Sequence, residues 1–467
     1  MSRIVLIIPI TIMKILILGA GVTGSSVAQA LASEENDIVV IDFRQELLDA
    51  LKERIDIATV TGNAAHPSVL EQADVNNTDM VIAVTDSDET NMLACLIINA
   101  LYSRPKTIAR VRAIDYLKNP KLFGVNGIPV DIVISPEQIV MESIRNLIEF
   151  PGALHVSDFA GGLVRLFSVM VVADGFLTGK KIKSLKERLS DGKTRVVAIF
   201  RQGKHWCVTG EATIETGDEV FFVAPRDEVR KVLAELNKLE APFKRIIIAG
   251  GGHVGKRLAL ALEHNHHVKI IEKDPKRAYK IANDFSKAIV LLGDCADEAL
   301  LLDESIESTD LFCAITENDG VNIISASLAK SLGARKTICL LNHNSYSKLL
   351  PGTGIDVTVL PNQETLGSIL KHVRRGDVAQ VTSLFGGTSE AIEAIAHDNN
   401  DDENSVVGCR VDAINFPAGI VIGALIRNSE VIAIHHDTVF KEGDHVVMFA
   451  MDKKLVSNIE QSFQRIG

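Results

Sequence analysis

The sequence predicts an α/β protein built twice over: two parallel β-sheets in tandem, each flanked by helices and each followed by a small α+β domain. Three observations predict it. Short apolar runs alternate with helical patterns, the chain matches itself at an offset of about 230 residues, and each half carries a glycine-rich turn between a strand and a helix.

In chain order, the apolar run 4–18 comes first, broken by Pro9 and Lys14. It is too short to cross a bilayer, which takes about 20 apolar residues. It runs directly into Gly19-Ala20-Gly21 instead of a small-residue cleavage site. Residues 1–12 therefore read as an upstream extension, and the first domain begins at Met13. Residues 14–18, 38–41, 58–60, 80–84 and 107–111 have the apolar, short character of buried strands. Between them, 22–32 and 89–101 place apolar residues at three- and four-residue spacing, the mark of helices facing a core. A sixth strand is expected near 131–134, and a helix from Pro136 to Phe150 crosses to the next part. Residues 152–237 and 377–464 show two-residue alternation and Gly-Asp turns, as in small α+β domains. The expected organisation is an extension (1–12), a first parallel-sheet domain (13–136), a crossover (137–151) and a first α+β domain (152–237). A second parallel-sheet domain (244–361), a second crossover (362–376) and a second α+β domain (377–464) follow. The acidic run 398–403 reads as a solvated loop.

The self-match is long. KILILGAGVTGSSVAQAL, from Lys14, falls on RIIIAGGGHVGKRLALAL, from Arg245; VVID ending at Asp42 falls on KIIE ending at Glu272. Gly62-Asn63 meets Gly293-Asp294, and TDMVIAVTDSDETNMLA meets TDLFCAITENDGVNIIS. The tails match as well: AIFR, ending at Arg201, meets ALIR, ending at Arg427, and TGDEVFFVA meets EGDHVVMFA. A two-part module has been duplicated.

Gly19-Ala20-Gly21-Val22-Thr23-Gly24 is a GxGxxG motif after a strand and at the head of a helix. Its first glycine permits a tight turn, its second lets a pyrophosphate approach the backbone, and its third lets helix and strand pack closely. The helix start offers N–H groups and partial positive charge to phosphate. Asp42 follows 18 residues after Gly24, where a carboxylate accepts from ribose hydroxyls and repels a 2′-phosphate, favouring NAD over NADP. The neighbouring Arg44 works against that preference. The second copy keeps Gly250, Gly252 and Gly255 and places Glu272 17 residues on. His253 lies at the phosphate position of that copy, and His264, His266 and His267 read as solvated surface before a strand.

Composition narrows the function classes. The chain has 467 residues, 46% hydrophobic and 23% charged, with 49 Lys and Arg against 60 Asp and Glu, a net charge of −11. Binding driven by nucleic-acid phosphates needs a basic face, and no dense basic run occurs. Six scattered cysteines form no CxxC pair and read as buried small hydrophobes of a reducing compartment. A dehydrogenase would need an acid or base beside its cofactor. Only His66 and Asp115 offer themselves, in loops and apart. The competing reading is an NAD-dependent oxidoreductase whose second dinucleotide fold has become structural.

The order GAGVTG, Asp42, VTDSDETNMLAC, IARVR and EFPGAL at 149–154 closely resembles the regulatory subunits of Trk-type potassium uptake systems. These are tandem RCK proteins, RCK standing for regulators of potassium conductance. The resemblance runs from Met13 to about Ile466. It implies two Rossmann-like domains each followed by a small domain, with no catalysis, in a peripheral protein on the cytoplasmic face of the inner membrane. It further implies a homotetramer that gates a membrane-embedded potassium-translocating subunit in response to NAD or NADH, or to ATP or ADP. Carried across, Gly19 to Thr23 would hold the pyrophosphate and Asp42 the ribose, with Thr85, Asp86 and Arg110 as further contacts. In the second half Thr316 and Glu317 match Thr85 and Asp86, but Leu340 replaces Arg110. A potassium/proton antiporter is the other transporter such a subunit would regulate.

Overall fold

The computed structural model describes residues 13–463 except 34–35, 125, 174, 187–188, 190–191, 207, 237–239, 351, 374–377, 386, 399–405, 415, 457–458 and 460–462. The extension 1–12 and all of the acidic run except Asp398 lie outside the described residues. The chain forms two compact units, one ending at Pro136 and the other beginning at Glu137.

The first unit is a Rossmann-like sheet of six parallel strands: Lys14–Leu18, Asp37–Asp42, Ala58–Thr61, Met80–Ala83, Lys106–Arg110 and Ile132–Ile134, in spatial order 3-2-1-4-5-6. Ile15 to Leu18 are all buried, because helices cover both faces of the central strand. Helix Val22–Ala32 buries Gly24, Val27, Ala28 and Leu31, the three- and four-residue spacing of its sequence. Helix Asp88–Leu101 starts where the Ser87 hydroxyl accepts from the Thr90 N–H at 3.1 Å. Asp115, expected in a loop, lies in the short helix Ile114–Leu117, and His66 is the residue that leads into helix Pro67–Gln72.

Helix Pro136–Glu149 begins on the last residue of the first unit, and the second unit continues with an antiparallel sheet of five strands, His155–Phe159, Val164–Met170, Arg195–Arg201, Lys204–Trp206 and Glu219–Pro225. A second six-stranded sheet follows: Arg245–Ala249, His267–Glu272, Ile289–Leu292, Leu311–Ala314, Lys336–Leu340 and Val357–Val359. Its strand order repeats that of the first. Helix Pro361–Val373 then leads to a second antiparallel sheet, Val378–Leu384, Ser389–Ile395, Ile420–Arg427, Glu430–Ile432 and His445–Ala450. Counted along each, the two antiparallel sheets share one topology: 4-3-5-2-1 in the first, the same read from the opposite edge in the second. His267, read from the sequence as surface before a strand, is the strand's first residue.

The antiparallel sheets differ from expectation in one respect. Val164–Met170 is buried at every position but its last and Glu219–Pro225 at every position but its first, instead of alternating. Both faces of the first sheet are covered. Phe167, Val169, Val220 and Phe222 pack against helices Pro136–Glu149 and Val229–Glu235. Leu166, Val197, Phe221 and Val223 pack against Ala391, Ala424, Val447 and Phe449 of the other antiparallel sheet. Phe200 stacks on Phe385 with centroids 3.5 Å apart. Gly423 lies at the seam between the sheets: a Cβ there would lie 2.8 Å from Val223 and 3.1 Å from Val197.

The repeated tails of the sequence are clamps. Asp218, fully buried, accepts from Arg201 Nε at 2.8 Å and Nη2 at 3.0 Å, and from the Glu215 N–H at 2.8 Å. Asp444 does the same with Arg427, both contacts at 2.7 Å, and with the Lys441 N–H at 2.8 Å. Each clamp ties one strand's end to the turn before another.

Cys95, Cys295, Cys313 and Cys339 are buried free thiols. Burial pushes Cys95 and Cys339 up to about 12. Thiolate is the reactive form. Native protein at pH 8 is therefore expected to leave all four unlabelled by iodoacetamide, and denatured protein to label them. Mass spectrometry reads both, and rapid native labelling of Cys95 would contradict the packing.

Candidate functional site

In the first sheet the two strands that begin the opposite runs of helices, Lys14–Leu18 and Met80–Ala83, lie side by side. A crevice opens beyond their C-terminal ends, where such folds take ligands. The glycine turn, Asp42, Thr85 and Arg110 all stand at that edge.

Gly19 has φ +108°, and a Cβ there would press to 3.0 Å on the Thr85 backbone, so glycine is required twice over. Gly24 is required for packing, since its Cβ would lie 1.8 Å from the Gly19 carbonyl oxygen. Gly21 is different. Its φ of −64° suits any residue, and a Cβ would meet nothing within 4 Å. Neither strain nor packing explains it. A molecule lying against that backbone would, and the open space beside it has room for an anionic group. Gly21 also begins helix Val22–Ala32 with no side-chain cap, so the first-turn N–H groups at Val22 and Thr23 are offered outward.

Asp42 is 6% exposed and closes this turn. Its Oδ2 accepts from the Ala20 N–H at 2.7 Å and its Oδ1 from the Arg44 N–H at 2.9 Å, with Arg44 Nε at 3.5 Å. A carboxylate has about four acceptor positions, so capacity for ribose hydroxyls remains.

Thr85 and Arg110 are linked by Asn91, which the sequence reading quoted within a motif but gave no role. Asn91, fully buried, accepts from the Thr85 N–H at 2.9 Å and from its hydroxyl at 2.6 Å. Its amide donates to the Thr85 and Arg110 carbonyls at 3.3 and 3.0 Å. It thus fixes the ends of two adjacent strands. Asp88 accepts from the N–H groups of Arg112 and Ala113, both at 2.8 Å, and Arg112 donates to the Asp86 carbonyl oxygen. The signal for Asn91 was available: it is identical in the duplicate, as Asn322.

The second half repeats the design. Gly250 has φ +112°, and a Cβ on Gly255 would lie 1.9 Å from the Gly250 oxygen. Gly252, with φ −68°, would meet nothing within 4 Å. Glu272 accepts from the Gly251 N–H at 3.0 Å and the Asp274 N–H at 2.8 Å. Its extra methylene is accommodated because Gly251 stands where the first copy has Ala20: a Cβ there would lie 3.0 Å from the Glu272 carboxylate. Asn322 holds Thr316 (2.8 and 2.7 Å) and the Leu340 carbonyl (2.9 Å). The differences lie at the far side. Leu340 is buried where Arg110 stands, and Asn342 and His343 replace Arg112 and Ala113 around Asp319. Hydrogen bonds from those two residues hold the Asp319 carboxyl below the usual range against the opposing effect of burial, which is the largest single influence. Asn342 also reaches the Glu317 carbonyl at 3.5 Å.

The repeated Gly62-Asn63 and Gly293-Asp294 have a packing reason. A Cβ at either glycine would collide with Val69 or Leu300 at 2.6 or 2.5 Å. Asn63 and Asp294 each accept from the N–H two residues on. His253 is exposed at the head of its helix, and His66 and Asp115 are exposed and separate. Among the described residues, no group of three or more His, Cys, Asp or Glu side chains is placed to hold a metal, and no helix is long and apolar enough to cross a membrane.

Two family models match parts of the chain. The family model described as the TrkA-N domain matches residues 15–136 and 246–361, and that of the TrkA-C domain matches 166–237. The chain is 46% identical over 97% of its length to the Trk system potassium uptake protein TrkA of Halomonas elongata, covering 99% of that protein. It is 44% identical to the protein of the same description from Vibrio alginolyticus, over 97% of this chain and 99% of that one. Among solved structures, one described as the GsuK channel bound to NAD shares the fold with a TM-score of 0.60 at 15% identity, over 97% of this chain and 79% of that one.

Proposed function

The chain belongs to the TrkA family of Trk system potassium uptake proteins, and on that premise we propose that it is a non-catalytic regulatory subunit. It binds NAD, NADH or an adenine nucleotide at the first glycine turn and gates a membrane-embedded potassium-translocating subunit from the cytoplasmic face, as a homotetramer. The domain bounds set out from the sequence belong to the same proposal. The observation that carries it is Gly21, a glycine that neither backbone strain nor packing requires, beside a carboxylate with acceptor capacity to spare. The neighbour described as a channel bound to NAD supports a dinucleotide as ligand.

When bound, the nucleotide supplies a pyrophosphate anion and a ribose diol. The N–H groups of Gly21, Val22 and Thr23 hold the anion, Asp42 accepts from the diol, and Thr85, Asp86 and Arg110 border the rest. Gly250, Gly252, Gly255, Glu272, Thr316 and Glu317 do the same in the second half without a counterpart to Arg110. Occupancy changes the pore only if the sites bind one conformation of the assembly more tightly than another. Moving a population from 1:99 to 99:1 takes about 5.5 kcal/mol, which several sites in a ring supply together more readily than one.

Titration calorimetry with NAD, NADH, ATP and ADP tests the reading. The intact chain is expected to bind at least one of them, and Asp42→Ala to lose about tenfold or more in affinity. Wild-type affinity in Asp42→Ala would move the site elsewhere; failure of all four to bind would leave a scaffold without a sensor.

A further inference from the structure

The helices that follow the two parallel sheets, Pro136–Glu149 and Pro361–Val373, are counterparts aligned from their prolines. In that alignment Ile139 of the first meets Glu364 of the second. Both residues are half-buried and line one cavity of about 270 Å³ between the helices. The duplicate has therefore replaced an apolar residue by a carboxyl at a helix–helix junction. Ser143 of the first helix donates to Glu364 Oε1 at 3.1 Å, joining the two helices directly.

We propose that the Glu364 carboxyl is a proton-binding site that joins the two helices when protonated and loosens them when it ionises. The neutral acid suits this position because it packs as the apolar counterpart does, while the Ser143 hydrogen bond favours the charged form and offsets part of the cost of burial. The carboxylate suits it less, because a half-buried charge needs a partner in place of the water it has lost. Among the described residues no cation lies within ion-pair distance of it. Burial, opposed by the Ser143 hydrogen bond, raises the carboxyl from its ordinary 4.5 to about 7.

The groups facing it from each packed element are few. Helix Pro136–Glu149 presents Glu142, an exposed like charge, with neutral Asn146. Strand His155–Phe159 presents Asp158, engaged by Arg165 Nε at 2.6 Å, and Ser157, hydrogen-bonded to His155. Burial lowers His155 to about 4, so that ring stays neutral through the relevant range. Strand Val378–Leu384 contributes Gln380, Thr382 and Ser383, none ionisable. Among the described residues, Lys371, seven residues along the helix from Glu364, is the cation that borders the cavity.

The sign follows from linkage. Between 4.5 and about 7 the folded form binds the proton and the unfolded form does not, so the junction is most stable at low pH and weakens as pH rises through about 7. The proposal does not depend on which nucleotide the protein binds, or on whether it binds one.

Hydrogen–deuterium exchange on the full chain tests it. Corrected for intrinsic exchange, protection of 136–149 and 361–373 is expected to fall about tenfold from pH 6 to pH 8.5. In Glu364→Gln the fall should vanish. In Ser143→Ala the midpoint should move to higher pH, because the lost donor favoured the charged form. A flat wild-type profile, or an equal fall in Glu364→Gln, overturns the proposal. Should Glu364→Gln fail to fold, Ser143→Ala decides alone, and an unmoved midpoint there also overturns it.

Discussion

Gly21→Ala is expected to lower nucleotide affinity about tenfold or more, at least ~1.4 kcal/mol, with the melting temperature unchanged. The added methyl projects into open space and the φ of −64° suits alanine, so the fold has nothing to lose. It does occupy the surface that an anion must approach to reach the helix N–H groups. Gly24→Ala should do the opposite first. Its Cβ would lie 1.8 Å from the Gly19 carbonyl oxygen, forcing helix Val22–Ala32 off the sheet at a cost of about 3 kcal/mol or more. Calorimetric titration and thermal unfolding of the two variants, side by side, separate the roles of the two glycines. Wild-type affinity in Gly21→Ala would remove the observation on which the functional proposal rests. The same pair of measurements on Gly252→Ala reports on the second half, where the geometry is equal.

The largest stability effects are expected at the clamps of the antiparallel sheets. Asp218→Ala removes a fully buried carboxylate that holds two guanidinium nitrogens and a backbone N–H. Arg201 then keeps only the exposed Glu215, 2.8 Å from its Nη1, as counter-charge, and the Glu215 N–H loses its acceptor, a loss of about 3 kcal/mol. Asp444→Ala should cost a similar amount through Arg427. Asp218→Asn keeps the volume and part of the hydrogen bonding, and should fall between. Denaturant unfolding monitored at Trp206, whose ring lies 4.4 Å from the Arg201 guanidinium, reads the first clamp locally. A change under about 1 kcal/mol for Asp218→Ala would mean that water replaces the carboxylate at little cost.

Much of this architecture was legible because duplication lets the chain annotate itself. The parallel sheets announced themselves by short apolar runs, and Gly19, Gly24 and Asp42 by spacing whose physical reason is local. The antiparallel sheets were read as strands with one wet face. Val164–Met170 and Glu219–Pro225 are buried on both, because a second sheet from 200 residues away covers them, and no window of sequence contains that partner. The role of Asn91 was not read for a related cause. A buried amide that links two strand ends has no spacing signature, and only its identity with Asn322 marks it. Arg201 with Asp218, and Arg427 with Asp444, were visible as repeated letters, yet their pairing needed coordinates. Glu364 was invisible as a site, since its meaning lies in the contrast with Ile139 and in the helix opposite. Asp42 and Arg110 each end a strand at the edge that carries the first glycine turn, and the titrations above test what that edge binds.

Aligning the repeated tails places Val197 opposite its own counterpart, Gly423, at the seam between the two antiparallel sheets. In an assembly of identical halves, the residue at such a place would face itself. Two valines would collide and two glycines would leave a hole, so neither choice fits well. Joining the halves in one polypeptide releases that symmetry, and a bump can be matched to a hollow. The seam is thereby keyed: the hollow at Gly423 receives Val197 and Val223 of the first half. Fusion has turned a self-complementary surface into a lock with two different faces.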